Sequence, residues 1–191
     1  MRTVSLVLGV CAIAAGASSM GQEVGAAKVT GLIVSQKDGE RREFRTRPGT
    51  YFTLKLDPKN GNSKHMVVMT EDMALGDRIP THRHPNADEL IIIHTGTARV
   101  TLGDRIEEVH AGDIIFIPRD TWIGAENTGT EHLTLTSIFS APGYEEYLRA
   151  VSVMAGQPVV PLSKGELDEI RKKHVHDGIY QDPSKAQRSS P

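Results

Sequence analysis

Polar and apolar positions follow two regimes along the chain. From Tyr51 to Ser140 apolar residues recur loosely at spacing two, in short runs separated by Gly, Pro, Asn and Asp. That is the pattern of half-buried strands joined by turns. Strands are expected at Val29–Ser35, around Phe44, and over Thr50–Leu56, Met66–Thr70, Leu90–Ile93, Thr97–Leu102, Arg105–Val109, Ile114–Ile117, Trp122–Glu126 and Leu133–Phe139. Lys37-Asp38-Gly39-Glu40 reads as a turn and Pro58-Lys59-Asn60-Gly61-Asn62 as a hairpin loop. Gly103-Asp104 reads as a two-residue turn of the glycine-first kind. Nothing here carries a helical period, so the expected fold class is all-β, a sandwich or barrel.

After Pro142 the period changes. Tyr144, Tyr147, Leu148 and Val151 stand at i, i+3, i+4 and i+7, one stripe of a helix that Gly156 and Pro158 are expected to end. Ser163 with Glu166 three residues on forms a capping box, opening a second helix whose apolar face is Leu167 and Ile170. The organisation expected is a signal peptide over 1–19, N-terminal strands and linker over 20–50, a barrel over 51–140, a helical extension over 141–181 and a disordered tail over 182–191.

Composition removes several function classes. A formal net charge of -2 over 191 residues offers no nucleic-acid footprint and no polybasic membrane patch. Arg2 followed by the uncharged run Val4–Ala17 and small residues has the layout of a secretory signal peptide, with cleavage after Ala17 or Ser19. The run is short for a membrane span. The protein is therefore expected to be secreted or periplasmic, with no membrane contact beyond that peptide. Cys11, the one cysteine, lies inside this segment, so the mature chain would have no disulfide and no thiol nucleophile. There is no glycine-rich phosphate loop and no Gly-x-Ser-x-Gly elbow. A small-molecule ligand or substrate is the partner expected, with a homodimer left open.

The stretch Gly76–Gly96 holds the candidate chemistry. His82 and His84, two apart, project from one face of an extended strand, and Glu89 opens the next apolar run. Two imidazoles and a carboxylate that converge make the first shell of a divalent metal, and with positions left open they suit non-haem iron. The bland alternative is three ordinary polar residues on an exposed strand. Among the other histidines, His94 shares parity with Leu90 and Ile92 and faces away from Glu89. His110 and His132 lie near strand ends, and His174 and His176 follow the last helix. His65 with Met66, Met69 and Met73 reads as strand packing.

The spacing Gly76-x5-His82-x-His84-x4-Glu89-x6-Gly96 resembles the first motif of the cupin family, and Gly112–Pro118 resembles the start of the second. The resemblance covers roughly Tyr51 to Ser140. Where that family has a glycine, a metal-binding histidine and an asparagine, this chain has Asp120, Ile123 and Asn127, so the usual fourth ligand is replaced. The resemblance implies one small double-stranded β-helix, a jelly-roll-like barrel with two C-terminal helices. Inside it, His82, His84 and Glu89 would hold a divalent metal ion, with Fe, Mn, Ni, Zn and Cu not distinguished. Ile91, Phe116, Trp122 and Ile123 are expected to line the pocket. No catalytic residue is assigned. Cupins include dioxygenases, isomerases, decarboxylases, sugar-binding modules and storage proteins. The Pro-Gly-Tyr that opens the first helix is similar to quercetinase-like proteins, which implies a small-molecule dioxygenase. The alternative is a non-catalytic ligand-binding cupin whose metal site is weakened or absent.

Overall fold

The structure, a computed structural model, describes residues 31–181. The expected signal peptide with Cys11 and the expected tail lie outside the described residues. Strands β1 (Glu40–Phe44), β2 (Tyr51–Leu56) and β3 (Val67–Met73) lead into β4 (Arg78–Arg83) and β5 (Glu89–Thr95). Then come β6 (Thr97–Leu102), β7 (Arg105–His110), β8 (Ile114–Ile117), β9 (Ile123–Asn127) and β10 (Leu133–Phe139). Helix α1 (Tyr144–Ala150), β11 (Ser152–Met154), α2 (Lys164–Lys173) and β12 (Ile179–Tyr180) complete the order.

Two antiparallel sheets face one another. One has the order β11-β1-β2-β3-β10-β5-β8 and the other β12-β4-β9-β6-β7. Alternation along the strands sets the inside. β3, β5 and β10 alternate buried and half-buried positions, turning Val67, Met69, Glu71 and Met73, then Glu89, Ile91 and Ile93, then Leu133, Leu135, Ser137 and Phe139 inward. The β6–β7 hairpin closes through Gly103-Asp104 with Leu102 opposite Arg105. Gly103 at φ 59° takes the left-handed geometry that a glycine-first turn needs.

Two expectations need correction. Residues 31–35 form no strand: Leu32 is 58% exposed and Ile33 95% exposed. A local apolar run needs a partner, and β1 already lies between β2 and β11. The first helix ends at Ala150, well before Gly156, because the chain after it returns to the sheet as β11, with Ser152 opposite Phe44. The second helix starts as its box predicts: Ser163 Oγ accepts from the Glu166 N–H, and the Glu166 carboxylate accepts from the Ser163 N–H at 2.8 Å.

The core has two parts. One gathers aliphatic residues between the sheets, among them Ile91, Ile93, Val100, Ile117, Ile123 and Leu135. The other is aromatic and takes the α1 stripe (Tyr144, Tyr147, Leu148 and Val151) onto Phe44, Phe52, Met69 and Phe139. Each fully buried side chain of this size contributes roughly 1.5–3 kcal/mol. Asn127 seals one end of the barrel. Its amide donates to the carbonyls of Met73, Ala74 and Glu131 at 3.2, 3.1 and 2.9 Å, and its oxygen accepts from the Gly129 N–H at 3.0 Å. A cavity of about 70 Å³ remains between the aliphatic and aromatic parts, lined from both.

Candidate metal centre

His82 lies near the end of β4, opposite Ile123 of β9 on one side and Tyr180 of β12 on the other. His84 follows two residues later, and Pro85-Asn86 turns the chain so that Glu89 begins β5 on its inward face. The structure brings all three together: they are 4%, 2% and 5% exposed, and one ligand atom from each lies within 4.8 Å of the others. The Nε2 atoms of His82 and His84 are 3.1 Å apart, and His84 Nε2 is 3.5 Å from Glu89 Oε2.

The second ring nitrogens decide what this cluster can hold. His82 Nδ1 lies 2.8 Å from the Pro80 carbonyl and His84 Nδ1 lies 2.8 Å from the Asp177 carbonyl. A carbonyl only accepts, so each Nδ1 carries its proton, and in neutral rings each Nε2 is left as a lone pair. Those lone pairs face each other beside Glu89 Oε2, which is buried without a hydrogen-bond partner. Three electron-rich atoms directed at one place repel unless a cation lies among them. Ligands bonded at about 2.1 Å and at right angles are about 3 Å apart, close to the separation of the two nitrogens. The donor set therefore fits a divalent ion, and the carbonyls that fix the tautomers are the outer shell such sites need.

Electrostatics agree. Burial pushes the His82 imidazole down to about 4, helped by His84, so the ring is neutral near pH 7. Burial would raise the Glu89 carboxyl, but a proton shared with His84, the positive charge it brings to the two histidines and the Ser137 hydroxyl outweigh it and hold it below the usual range. A bound cation would supply that positive charge in the proton's place. Around the triad the wall is aromatic. Tyr180 stacks on His82 with ring centres 5.3 Å apart, Tyr144 meets His84 edge-on at 4.3 Å, and the two phenols share a hydrogen bond of 2.6 Å. Burial raises both phenols well above their ordinary value, so they stay protonated and neutral.

Of the expected pocket residues, Ile91 and Ile123 line the cavity. Ile123, 2% exposed, points inward at the position where the resemblance expected a histidine. Phe116 and Trp122 do not line it. Phe116 is 60% exposed, opposite Leu90 on the outer face of the sheet, because Ile115 and Ile117 take the inward positions of β8. Trp122 precedes Ile123, and its ring lies under the Arg83 guanidinium at 4.9 Å. The sequence contained that signal, since neighbours on a strand cannot share a face.

Several cavity residues escaped the sequence reading. Arg47 enters from the turn between β1 and β2, Glu71 from β3, and Arg171 from α2, along with Tyr144, Tyr147 and Tyr180. Glu71 alone left a trace, as a carboxylate in phase with Met69 and Met73. The remaining histidines stay apart from the triad: His94 bonds Thr136 Oγ1 at 2.7 Å, and His132 bonds Asp72 at 2.7 Å.

Residues 69–139 match the family described as Cupin domain. That segment, the central part of the barrel, is what this chain shares with the cupin family. The barrel resembles KdgF from Halomonas sp., at 16% identity over 61% of this chain and 99% of that one, with a TM-score of 0.52. It also resembles a predicted oxalate decarboxylase from Thermotoga maritima, at 18% identity over 58% of this chain and 100% of that one, TM-score 0.52. The polyketide cyclase RemF from Streptomyces resistomycificus is similar at 21% identity over 73% of this chain and 92% of that one, TM-score 0.51. At such identities the likeness shows the double-stranded β-helix fold alone. In sequence, 87 residues are 30% identical to the uncharacterized protein YrkC of Bacillus subtilis, covering 42% of this chain. The match takes in 47% of YrkC, so the chain spans about half the length of that curated relative.

Proposed function

We propose that this cupin holds one divalent metal ion through His82, His84 and Glu89 and acts on a small molecule in the barrel cavity, as a dioxygenase. The observation that carries the reading is the pair of facing Nε2 lone pairs at 3.1 Å beside the unpartnered Glu89 Oε2. A divalent ion with two imidazoles, one carboxylate and open positions supplies Lewis acidity and a place for dioxygen. The chain's own residues do the rest. Pro80 and Asp177 fix the two tautomers, Ile123 keeps one side of the site open and apolar, and the Tyr144–Tyr180 pair covers the histidines. Ile123 also favours a second reading, a ligand-binding cupin without turnover, since a site with three protein ligands holds its ion less firmly than one with four.

Metal analysis of the protein purified from its own compartment tests the first step. Close to one ion per chain, a melting temperature lowered by chelator, and loss of both in His82→Ala are expected. A metal-free protein that melts identically with chelator would end the metal reading. Dioxygen uptake by the metal-loaded protein against a small-molecule panel then separates enzyme from binding module. We also propose export, on the Arg2–Ala17 pattern; the mature terminus should fall between about Ser18 and Gln22 by N-terminal sequencing.

A further inference from the structure

The cavity beside the triad holds a second set of charges. Arg47 makes both its ion pairs through Nη1, to Glu71 at 2.8 Å and to Asp77 at 3.0 Å. Its guanidinium lies over the Phe44 ring at 4.0 Å. Arg47 is 12% exposed at its side chain and Glu71 5%. The Glu71 contact lacks hydrogen-bond alignment, leaving Oε1 buried and unsatisfied. Arg171 reaches the same cavity from α2, with its guanidinium 4.3 Å above Tyr180 and its Nε buried without an acceptor. Stability does not account for this set. A buried ion pair returns little more than its desolvation cost, and an unmet buried N–H costs about 1–3 kcal/mol. For Arg171 that cost is met when a ligand supplies an acceptor, while Glu71 keeps Arg47 as its counter-charge.

Charge identifies the ligand. With a divalent ion on the triad, two guanidiniums and the ion face three carboxylates: Glu71, Glu89 and Asp77 behind Arg47. One positive charge is left over. We propose that the cavity takes a small organic carboxylate, a monoanion whose carboxylate is gripped by Arg47 and Arg171 while the rest of the molecule extends along the tyrosine wall toward the triad. Guanidinium suits this task because its planar fork matches a carboxylate, and Arg171 brings a free Nε–H. This inference rests on the metal reading above.

Titration calorimetry on the metal-loaded full chain tests it, with acetate and benzoate set against their neutral isosteres acetamide and benzamide. Each carboxylate should bind at least tenfold more tightly than its amide. Arg171→Gln, on the half-exposed helix, should weaken carboxylate binding about tenfold or more without changing metal stoichiometry. Arg47→Lys keeps the charge that Glu71 and Asp77 need but loses the fork, and should weaken it similarly. Amides that bind as well as carboxylates, or two folded variants with undiminished binding, would overturn the proposal while a full metal complement leaves the triad reading intact. Conversely, carboxylate binding by a metal-free wild type that both variants abolish would support the grip and remove only the metal.

Discussion

The Nδ1–H of His84 donates to the backbone carbonyl of Asp177 at 2.8 Å, across 93 positions of sequence. The C-terminal segment is therefore part of the site. After α2, β12 pairs with β4 at His82 and sets Tyr180 on its ring. What holds a candidate ligand in its productive tautomer comes from outside the matched family segment, which ends at 139.

Gly143→Ala tests that coupling. Gly143 caps α1 at φ 137°, and a Cβ there would overlap the Asp177 carboxylate, with its Cγ only 3.0 Å away. Displacing Asp177 loosens His84 while the barrel strands stay in place. Metal affinity, measured by chelator competition, should fall 10- to 100-fold, as when an outer-shell partner is lost. Unchanged affinity would show that the Asp177 carboxylate turns aside without moving its carbonyl, so that Gly143 is not coupled to the ring.

Much of this was legible in advance, and the failures have physical reasons. The period-two alternation located β2, β5 to β10 and the first part of β3 but marked no run for β4, and the spacing of His82, His84 and Glu89 put three polar residues on inward positions. Asp120 stands where the resemblance expects glycine, and it adopts φ 66°, a left-handed geometry that Asp tolerates better than most residues. Phe116 and Trp122 fall outside the cavity because Ile115, Ile117 and Ile123 take the inward positions of their strands, and parity overrides aromatic character. Arg47, Arg171 and Tyr180 left no local trace: each reaches the cavity through tertiary contact, which no window of sequence contains. β12 has only two residues, Ile179 and Tyr180, too few to show a period.

Acid should weaken the metal-free protein through His82. An unfolded imidazole takes its proton near pH 6.5, whereas burial in the fold lowers His82 to about 4. The folded state thus resists a proton that the unfolded state accepts. Stability is intact above about pH 6.5, falls as pH drops toward 4, and levels off below, a loss on the order of 3 kcal/mol. Urea denaturation of wild type and His82→Gln with chelator, at about pH 7, 5.5 and 4, isolates the effect, because other groups cancel in the difference. A difference that stays flat with pH would show that the ring is not held neutral.

Arg149 ties α1 to the barrel. Its Nη2 bonds Asp57 at 2.5 Å and Glu40 at 2.8 Å, and Asp57 is fully buried. Burial works to raise Glu40, but Arg149, Arg42 and Asn60 outweigh it and bring its carboxyl to about 2. Arg149→Met would strand these carboxylates and should cost about 3–5 kcal/mol in urea denaturation. Adding Asp57→Asn removes one stranded charge and should recover part of the loss. A single variant within about 0.5 kcal/mol of wild type would mean that water already screens the network.

Ile123→His asks what the missing ligand is for. Ile123 is inward, 2% exposed, and opposite His82 in the β4–β9 register, so an imidazole there has the cavity before it. If the three-ligand site works as it stands, the isoleucine keeps a position free for substrate or dioxygen and keeps that side dry. The new histidine should then tighten metal binding, seen as slower loss to chelator, and lower turnover or carboxylate affinity because a protein ligand fills the free place. If the site is a remnant, wild type should carry almost no metal, and the substitution should raise metal content with no activity to lose. Polarity alone is controlled by Ile123→Asn, which brings an amide to the same wall but no imidazole. A histidine variant that holds metal no more tightly than wild type, with Ile123→Asn behaving the same way, would place Ile123 outside the coordination sphere and make its role one of packing.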